Sequence, residues 1–324
     1  MSIGILGLGS IGMRHLKNAL SLGENVVGFD PDEERQALAH SHDVDIAENE
    51  QALFEQVDAV VICSPNKFHL QNIKTAIDCG CHILVEKPFS HTLNGLEVVI
   101  PQAKKRKLVL AVAMNLRFNA VSRSAREIIK NKKFGEVLWG RFICSSYLPS
   151  WRPHQDYRVN YTTDPQYGGV IFDVIHEIDL AHYLLGAASA QSCVAWQSGV
   201  LETKAEDCAE IVLRHGDARP VYSNIHLDYV SPNKKRGFEI QMKKGLIRGD
   251  LFARSLEVFD EQDVLVRQDA LHGSFNKDYV DEMKAFIAAF KKGEPFPCCA
   301  DEAYSVLETV VEARSLAGLP LVHK

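Results

Sequence analysis

GILGLGSIG, residues 4–12, is the stretch whose reading decides the fold. It is apolar and glycine-rich, and a secretory leader, a buried strand or a phosphate cradle could each produce it. A leader needs a basic start and a small-residue cleavage site, and neither is present. Arg14, His15 and Lys17 then interrupt the apolar run, so the leader reading fails. What remains is a strand that turns into a helix through Gly7, Gly9 and Gly12, a G-x-G-x-x-G spacing. In such a turn the first glycine permits the tight bend and the second lets backbone approach a pyrophosphate. The third lets helix and strand pack closely. Leu8, Ser10 and Ile11 complete the cofactor-binding loop, and the helix N-terminus faces the phosphates.

The spacing alone is weak, because any glycine-rich turn can match it. Asp30 strengthens it: it ends the next strand run, NVVGFD, 18 residues beyond Gly12. An acid there can bond both ribose hydroxyls and repels a 2′-phosphate, so NAD is expected and NADP disfavoured. Arg35, about one helical turn onward, is the group able to reach such a phosphate. A plain turn with a surface aspartate is the alternative.

The chain has 324 residues, 46% of them hydrophobic, which predicts two domains. A net charge of −6 disfavours nucleic acid and anionic membrane as partners. The basic runs KKRK (104–107), KNKK (130–133) and NKKR (233–236) read as solvated edges. The eight cysteines form no C-x-x-C pair and no zinc-type spacing, so no metal is expected and a reducing, cytoplasmic setting is. No run of 18 apolar residues occurs, hence no membrane-spanning helix is expected.

Residues 1–118 alternate strand runs (SIGIL, NVVGFD, DAVVICS, CHILVE, LVLAVAMN) with amphipathic segments. That alternation predicts an α/β dinucleotide-binding domain, a doubly wound parallel sheet covered on both faces. Pro101 falls within the last helical segment. Residues 119–324 change pattern and predict an α+β domain for substrate binding and oligomerisation. It would hold a helix ending near 135, a long strand over EVLWGRFICSSYL, and one helix over GGVIFDVIHEIDLAHYLLG. A large, mostly antiparallel open sheet would follow, and two C-terminal helices.

Four further stretches then fall into one pattern: SPNKFH (64–69), EKP (86–88), MNLRF (114–118) and GGVIFDVIHEID (168–179). In this order after an N-terminal glycine loop, the chain resembles the Gfo/Idh/MocA family of sugar and polyol oxidoreductases over essentially its whole length. The resemblance implies a Rossmann domain and a second domain whose open sheet packs against another subunit, as a homodimer or homotetramer. It implies that Ser64, Pro65, Asn66 and His69 lie beside the nicotinamide half of the cofactor, with Glu86 and Asn115 also at the cofactor. Lys87 becomes the catalytic-site lysine, followed by a peptide bond that the family often makes cis. An ammonium beside a cationic ring can hydrogen-bond the reacting oxygen.

His176 is the acid–base group the pattern implies, since histidine titrates near neutral pH. Asp173, three residues earlier, would share its helix face and reach the same substrate. The commoner family spacing is four, so the role of Asp173 stays open, and Asp179 is a candidate to orient His176 or to cap the bundle. His182, without a motif, reads as a core histidine. The stretch YLPSWRPHQDYRVNY (147–161) offers Trp151, Arg152, His154, Tyr157, Arg158 and Tyr161 as a substrate wall, with a dimer contact as the alternative. Aromatic faces suit sugar C–H groups, and arginines suit carboxylate or phosphate. Arg117 is a further cofactor or substrate candidate. Together with HEID, this loop resembles a branch among bacterial enzymes of nonulosonic-acid and surface-sugar metabolism.

The expected activity is NAD-dependent hydride transfer at a hydroxyl or keto carbon of a derivatised or acidic sugar. A redox-neutral isomerase, epimerase or dehydratase using NAD transiently is the second reading. An NAD-binding regulator on the same fold is the third, and such a protein tends to lose the lysine or histidine retained here.

Overall fold

The computed structural model describes residues 1–151 and 153–321 and divides them into two units. The first comprises Met1–Asn115 and Phe275–Tyr304, and the second Leu116–Ser274 with the segment from Ser305 onward. A single boundary at 118 does not express this division, because the chain returns to the first unit near its end.

In the first unit the strands are β1 (Ser2–Leu6), β2 (Asn25–Phe29), β3 (Asp45–Ile46), β4 (Ala59–Ile62), β5 (His82–Val85) and β6 (Leu110–Val112). They alternate with α1 (Ser10–Ser21), α2 (Glu33–His40), α3 (Glu50–Glu55), α4 (His69–Cys79) and α5 (Leu96–Lys105). All the pairings are parallel, in the order β3-β2-β1-β4-β5-β6. Every residue of β4 is buried, the mark of a strand covered on both faces. The two-residue β3 left no legible run in the sequence. Strand order reverses between β1 and β4, and ligands of such sheets bind beyond the strand ends at that switch point. Both the glycine loop and the 64–69 loop leave the sheet there. Pro101 sits inside α5 without ending it.

Helix α9 (Phe275–Lys292) belongs to this unit. Its stripe of Met283, Phe286 and Phe290 is buried in one cluster with Leu16 and Ala19 of α1. Beyond it, the Val112 N–H donates to the Cys298 carbonyl at 3.1 Å, extending the sheet edge.

The second unit is built from α6 (Ala120–Lys130), β7 (Val137–Tyr147), α7 (Val170–Asp173), α8 (His176–Leu185) and β8 (Ala188–Trp196). The sheet continues through β9 (Cys208–His215), β10 (Val221–Asp228), β11 (Val230–Met242), β12 (Gly245–Asp250), β13 (Ser255–Asp260) and β14 (Leu265–Ala270). Most of α10 (Ala300–Leu316) follows. The eight strands run β14-β13-β12-β11-β7-β10-β9-β8, all antiparallel except the β7–β10 pair. Period-two alternation buries Phe142, Ile211, Ile225 and Ile240 on one face. The other face presents the partly or fully exposed Arg141, Glu210, His226, Glu239, Arg248 and Glu257.

The expected single helix over 168–186 is two. Helix α7 ends at Asp173, Val174 leaves helical geometry at φ −101° and ψ 35°, and α8 starts at His176. Each piece has its own anchor. The Arg314 Nη1 donates to Glu206 Oε1 at 3.0 Å, and Glu206 accepts the Ile171 N–H at 3.3 Å at the start of α7. Buried ion pairs hold α8: Arg117 on Asp179 at 2.7 Å and Arg236 on Glu177 at 2.6 Å.

Candidate active site

The glycine loop has the form its spacing requires. Gly7 has φ +92°, and a Cβ there would lie 2.8 Å from the Cys63 backbone. A Cβ on Gly12 would lie 1.8 Å from the Gly7 carbonyl oxygen, so both positions exclude a side chain. Gly9 differs: a Cβ there would meet only the Arg35 Nη1, at 3.9 Å. Its outward face is open. Gly9 caps α1 without a side-chain bond, and the first-turn N–H groups of a helix have no intrahelical acceptor. Open space over Gly9 and free donors beyond it fit a pyrophosphate.

Asp30 is 2% exposed and braces this loop. Its Oδ2 accepts the Leu8 N–H at 2.7 Å, and its Oδ1 accepts the Asp32 N–H at 3.0 Å. A carboxylate oxygen has two acceptor sites, so Oδ1 keeps capacity for a ribose hydroxyl. The Arg35 guanidinium reaches Oδ2 at 3.4 Å. Arginine and aspartate thus flank one edge of the loop.

Beyond β4, Ser64 donates to Asn72 Oδ1 at 2.7 Å, Pro65 is exposed and Asn66 is buried. The His69 ring bridges two loops, with Nε2 2.9 Å from the Ser64 carbonyl oxygen and Nδ1 2.9 Å from that of Pro88. Burial lowers its pKa against the raising pull of those carbonyls. Both ring nitrogens are engaged by backbone, which makes His69 a brace between the 64–69 loop and the E-K-P segment. The Lys87–Pro88 bond is cis. Glu86 is 8% exposed, and Lys87 is half-buried at the end of β5. Asn115 is buried after β6.

In the second unit Asp173 is 6% exposed and His176 9%. Asp173 Oδ1 accepts from the Tyr161 hydroxyl at 3.0 Å and Oδ2 from the Tyr229 hydroxyl at 3.1 Å. Tyr229 also donates to the Gly169 carbonyl at 3.2 Å, and the Trp151 ring meets it edge-on at 5.4 Å. Trp151, Tyr161 and Asp173 therefore come together, around a tyrosine that sequence reasoning missed. Burial pushes the Tyr229 phenol well up, and Asp173 adds to the rise. The only sequence signal at Tyr229 is an aromatic residue at a strand junction.

Other candidates lie elsewhere. Tyr157 accepts the Glu202 N–H at 3.1 Å. Arg158 is exposed and paired with Asp156 at 2.9 Å and Glu202 at 3.4 Å. Arg152 lies outside the described residues. Arg117, expected to face cofactor or substrate, is 3% exposed and forked onto Asp179, with Nε at 3.0 and 3.1 Å from the two oxygens. Its guanidinium holds α8 in the second unit, and Asp179 is spent on that pair. Among the described residues no group of three His, Cys, Asp or Glu is arranged to hold a metal, and no helix is long and apolar enough to cross a membrane.

A glycine cradle at the switch point of a parallel sheet, followed by a lysine at the end of a neighbouring strand, defines a dinucleotide-dependent Rossmann oxidoreductase. Residues 1–114 match the oxidoreductase family with an NAD-binding Rossmann fold, and residues 122–248 match the GFO/IDH/MocA C-terminal domain. The chain belongs to the Gfo/Idh/MocA family of oxidoreductases, and NAD is its cofactor class. It is 26% identical to a myo-inositol 2-dehydrogenase of Thermotoga maritima across 98% of both chains. It is 32% identical to a D-glucoside 3-dehydrogenase of Escherichia coli over 48% of this chain and 45% of that protein. Among solved structures, levoglucosan dehydrogenase with NADH and levoglucosan has a TM-score of 0.87 at 19% identity, covering 98% of this chain and 97% of that one. UDP-N-acetylglucosamine 3-dehydrogenase from Acidithiobacillus ferrooxidans has 0.80 at 22%, with the same coverage. These last two likenesses concern the fold.

Proposed function

We propose that this chain oxidises a hydroxyl of a derivatised or acidic sugar, or reduces the corresponding ketone, with NAD as the hydride partner. The observation that carries the reading is Lys87, at the end of β5 on the NAD-binding sheet, with the buried Glu86 beside it. The names of the two relatives above, a myo-inositol and a D-glucoside dehydrogenase, support the substrate class. When bound, NAD accepts the C–H electron pair as hydride. Lys87 holds the reacting oxygen and stabilises alkoxide character, and His176 takes the hydroxyl proton. Asp173, held by two tyrosine hydroxyls, positions that substrate wall together with Trp151 and Tyr161. Asp30 meets the adenosine ribose, and the first turn of α1 meets the pyrophosphate.

The enzyme works in the cytoplasm as a homo-oligomer assembled through the charged open face of the eight-stranded sheet. Light scattering at micromolar concentration should give a dimer or tetramer, and a clean monomer opposes this.

A panel of myo-inositol, levoglucosan, uronic acids, sialic-type acids and UDP-N-acetylglucosamine, each with NAD⁺ and NADP⁺, tests the activity by absorbance at 340 nm. Stoichiometric NADH formation is expected with one class. Conversion of a sugar with no net NADH would favour a redox-neutral reaction. Lys87→Ala and His176→Ala should each lower kcat by roughly 10²–10⁴-fold with little change in NAD affinity. Near-normal turnover in both would overturn the assignment.

A further inference from the structure

His15 and Glu86, 71 residues apart, meet side chain to side chain, Nε2 to Oε1, at 2.8 Å. His15 lies in the second turn of α1 and is 0% exposed. The second oxygen of Glu86, Oε2, accepts the backbone N–H of Lys87 at 3.1 Å. Among the described residues His15 Nδ1 has no hydrogen-bond partner, and Glu86 is the one group its imidazole bonds. A buried side chain that spends its sole bond on one carboxylate points to that carboxylate as its purpose.

The surroundings say what happens to Glu86 without it. Burial pushes its carboxyl up. The His15 bond and charge, with the Lys87 ammonium and N–H, outweigh burial and hold it below the usual carboxylate range. Cys63, His69 and Tyr279 lie within reach of the Glu86 charge, Glu282 acts on Cys63 and Tyr279, and Arg14 stacks over the Tyr279 ring at 4.6 Å. Removing the His15 donor takes one of these two bonds from a buried carboxylate.

We propose that His15 is a positioning residue for Lys87: by donating to Glu86 it keeps that carboxylate aimed at the Lys87 N–H, and so fixes the peptide that carries the reactive ammonium. Helix α1 then does two things. Its first turn offers N–H groups to phosphate, and its second turn sets the lysine. This inference rests on Lys87 being the reactive lysine.

The test uses His15→Phe, His15→Gln and Glu86→Gln in protein carrying ¹³C-labelled glutamate carboxyls, with Glu86 identified by its loss in Glu86→Gln. In the unmodified protein Glu86 should titrate below the usual carboxylate range. In His15→Phe its midpoint should rise by about one to two pH units. The Lys87 amide proton should follow that titration, and His15→Gln, which keeps a neutral donor, should restore both. On the substrate that the panel identifies, His15→Phe and Glu86→Gln should each lower kcat about tenfold, with KM and NAD affinity within about twofold. An unchanged Glu86 titration and Lys87 amide in His15→Phe overturns the proposal. So does unchanged kcat in His15→Phe where Lys87→Ala is inactive. Normal turnover in Lys87→Ala instead sinks the reading of Lys87. Should His15→Phe fail to fold, Glu86→Gln decides, because it keeps His15 and the side-chain shape. A normal kcat and Lys87 amide in that variant overturns the proposal.

Discussion

Tyr229 donates its hydroxyl to Asp173 Oδ2 at 3.1 Å, from a strand junction 56 residues further along the chain. Tyr229 is 1% exposed, so its removal leaves a carboxylate oxygen short of a donor where water cannot replace it. Tyr229→Phe should destabilise the protein by about 1–3 kcal/mol. Tyr161→Phe, at a residue 44% exposed, should cost under about 1 kcal/mol. Thermal unfolding of the two variants gives the comparison, and equal losses would refute the ranking.

Asp30 carries two duties, and substitution separates them. Asp30→Asn keeps an acceptor for the Leu8 N–H and removes the charge. NAD should bind more tightly than NADP to the unmodified protein, and Asp30→Asn or Asp30→Ser should narrow or reverse the preference. Asp30→Ser should also lower stability by about 1–3 kcal/mol, since the shorter side chain leaves the buried Leu8 N–H unbonded. Titration calorimetry with both dinucleotides measures the first effect. Tighter NADP binding by the unmodified protein would shift the phosphate role to Arg35.

The Arg117–Asp179 pair is buried on both sides, at 3% and 0% side-chain exposure. Removing one partner strands a charge, so Asp179→Ala should cost about 3–5 kcal/mol. Replacing both, as Arg117→Met with Asp179→Leu, should recover most of that loss. A double variant as unstable as Asp179→Ala would show that Arg117 matters through its other contacts.

Two histidines give opposite pH limbs to stability. Burial, then the nearby His215 and Arg117, lowers His182 to about 3. The unfolded chain therefore takes this proton first. The contribution is complete above pH ~6.5 and is lost as pH falls from there toward about 3. His226 is raised to about 9, first by its bond to Asp228 and then, against burial, by Glu210. Its contribution is complete below pH ~6.5 and is lost as pH rises through about 9. Urea midpoints from pH 4 to 10 should fall less steeply on the acid side in His182→Gln and on the alkaline side in His226→Gln. Unchanged slopes would assign the limbs to other groups.

The sequence by itself determined the features that are local demands of the backbone. The glycine cradle is one, since Gly7 needs positive φ and Gly12 needs the absence of a Cβ. The apolar runs of β4 and β5 are another, because burial on both faces removes alternation. Asp30 at a strand end and the E-K-P segment were equally visible. What only the tertiary structure decided is which distant side chains meet. Arg117 finds Asp179, 62 positions away, and Glu86 finds His15, 71 positions away. Tyr229 reaches Asp173, and α9 joins the core of the first unit rather than the second. Such pairings are set by sheet register and by which apolar stripe fills which gap. A local pattern shows that a charge or a stripe must be satisfied, and only the packed chain supplies the partner that does so.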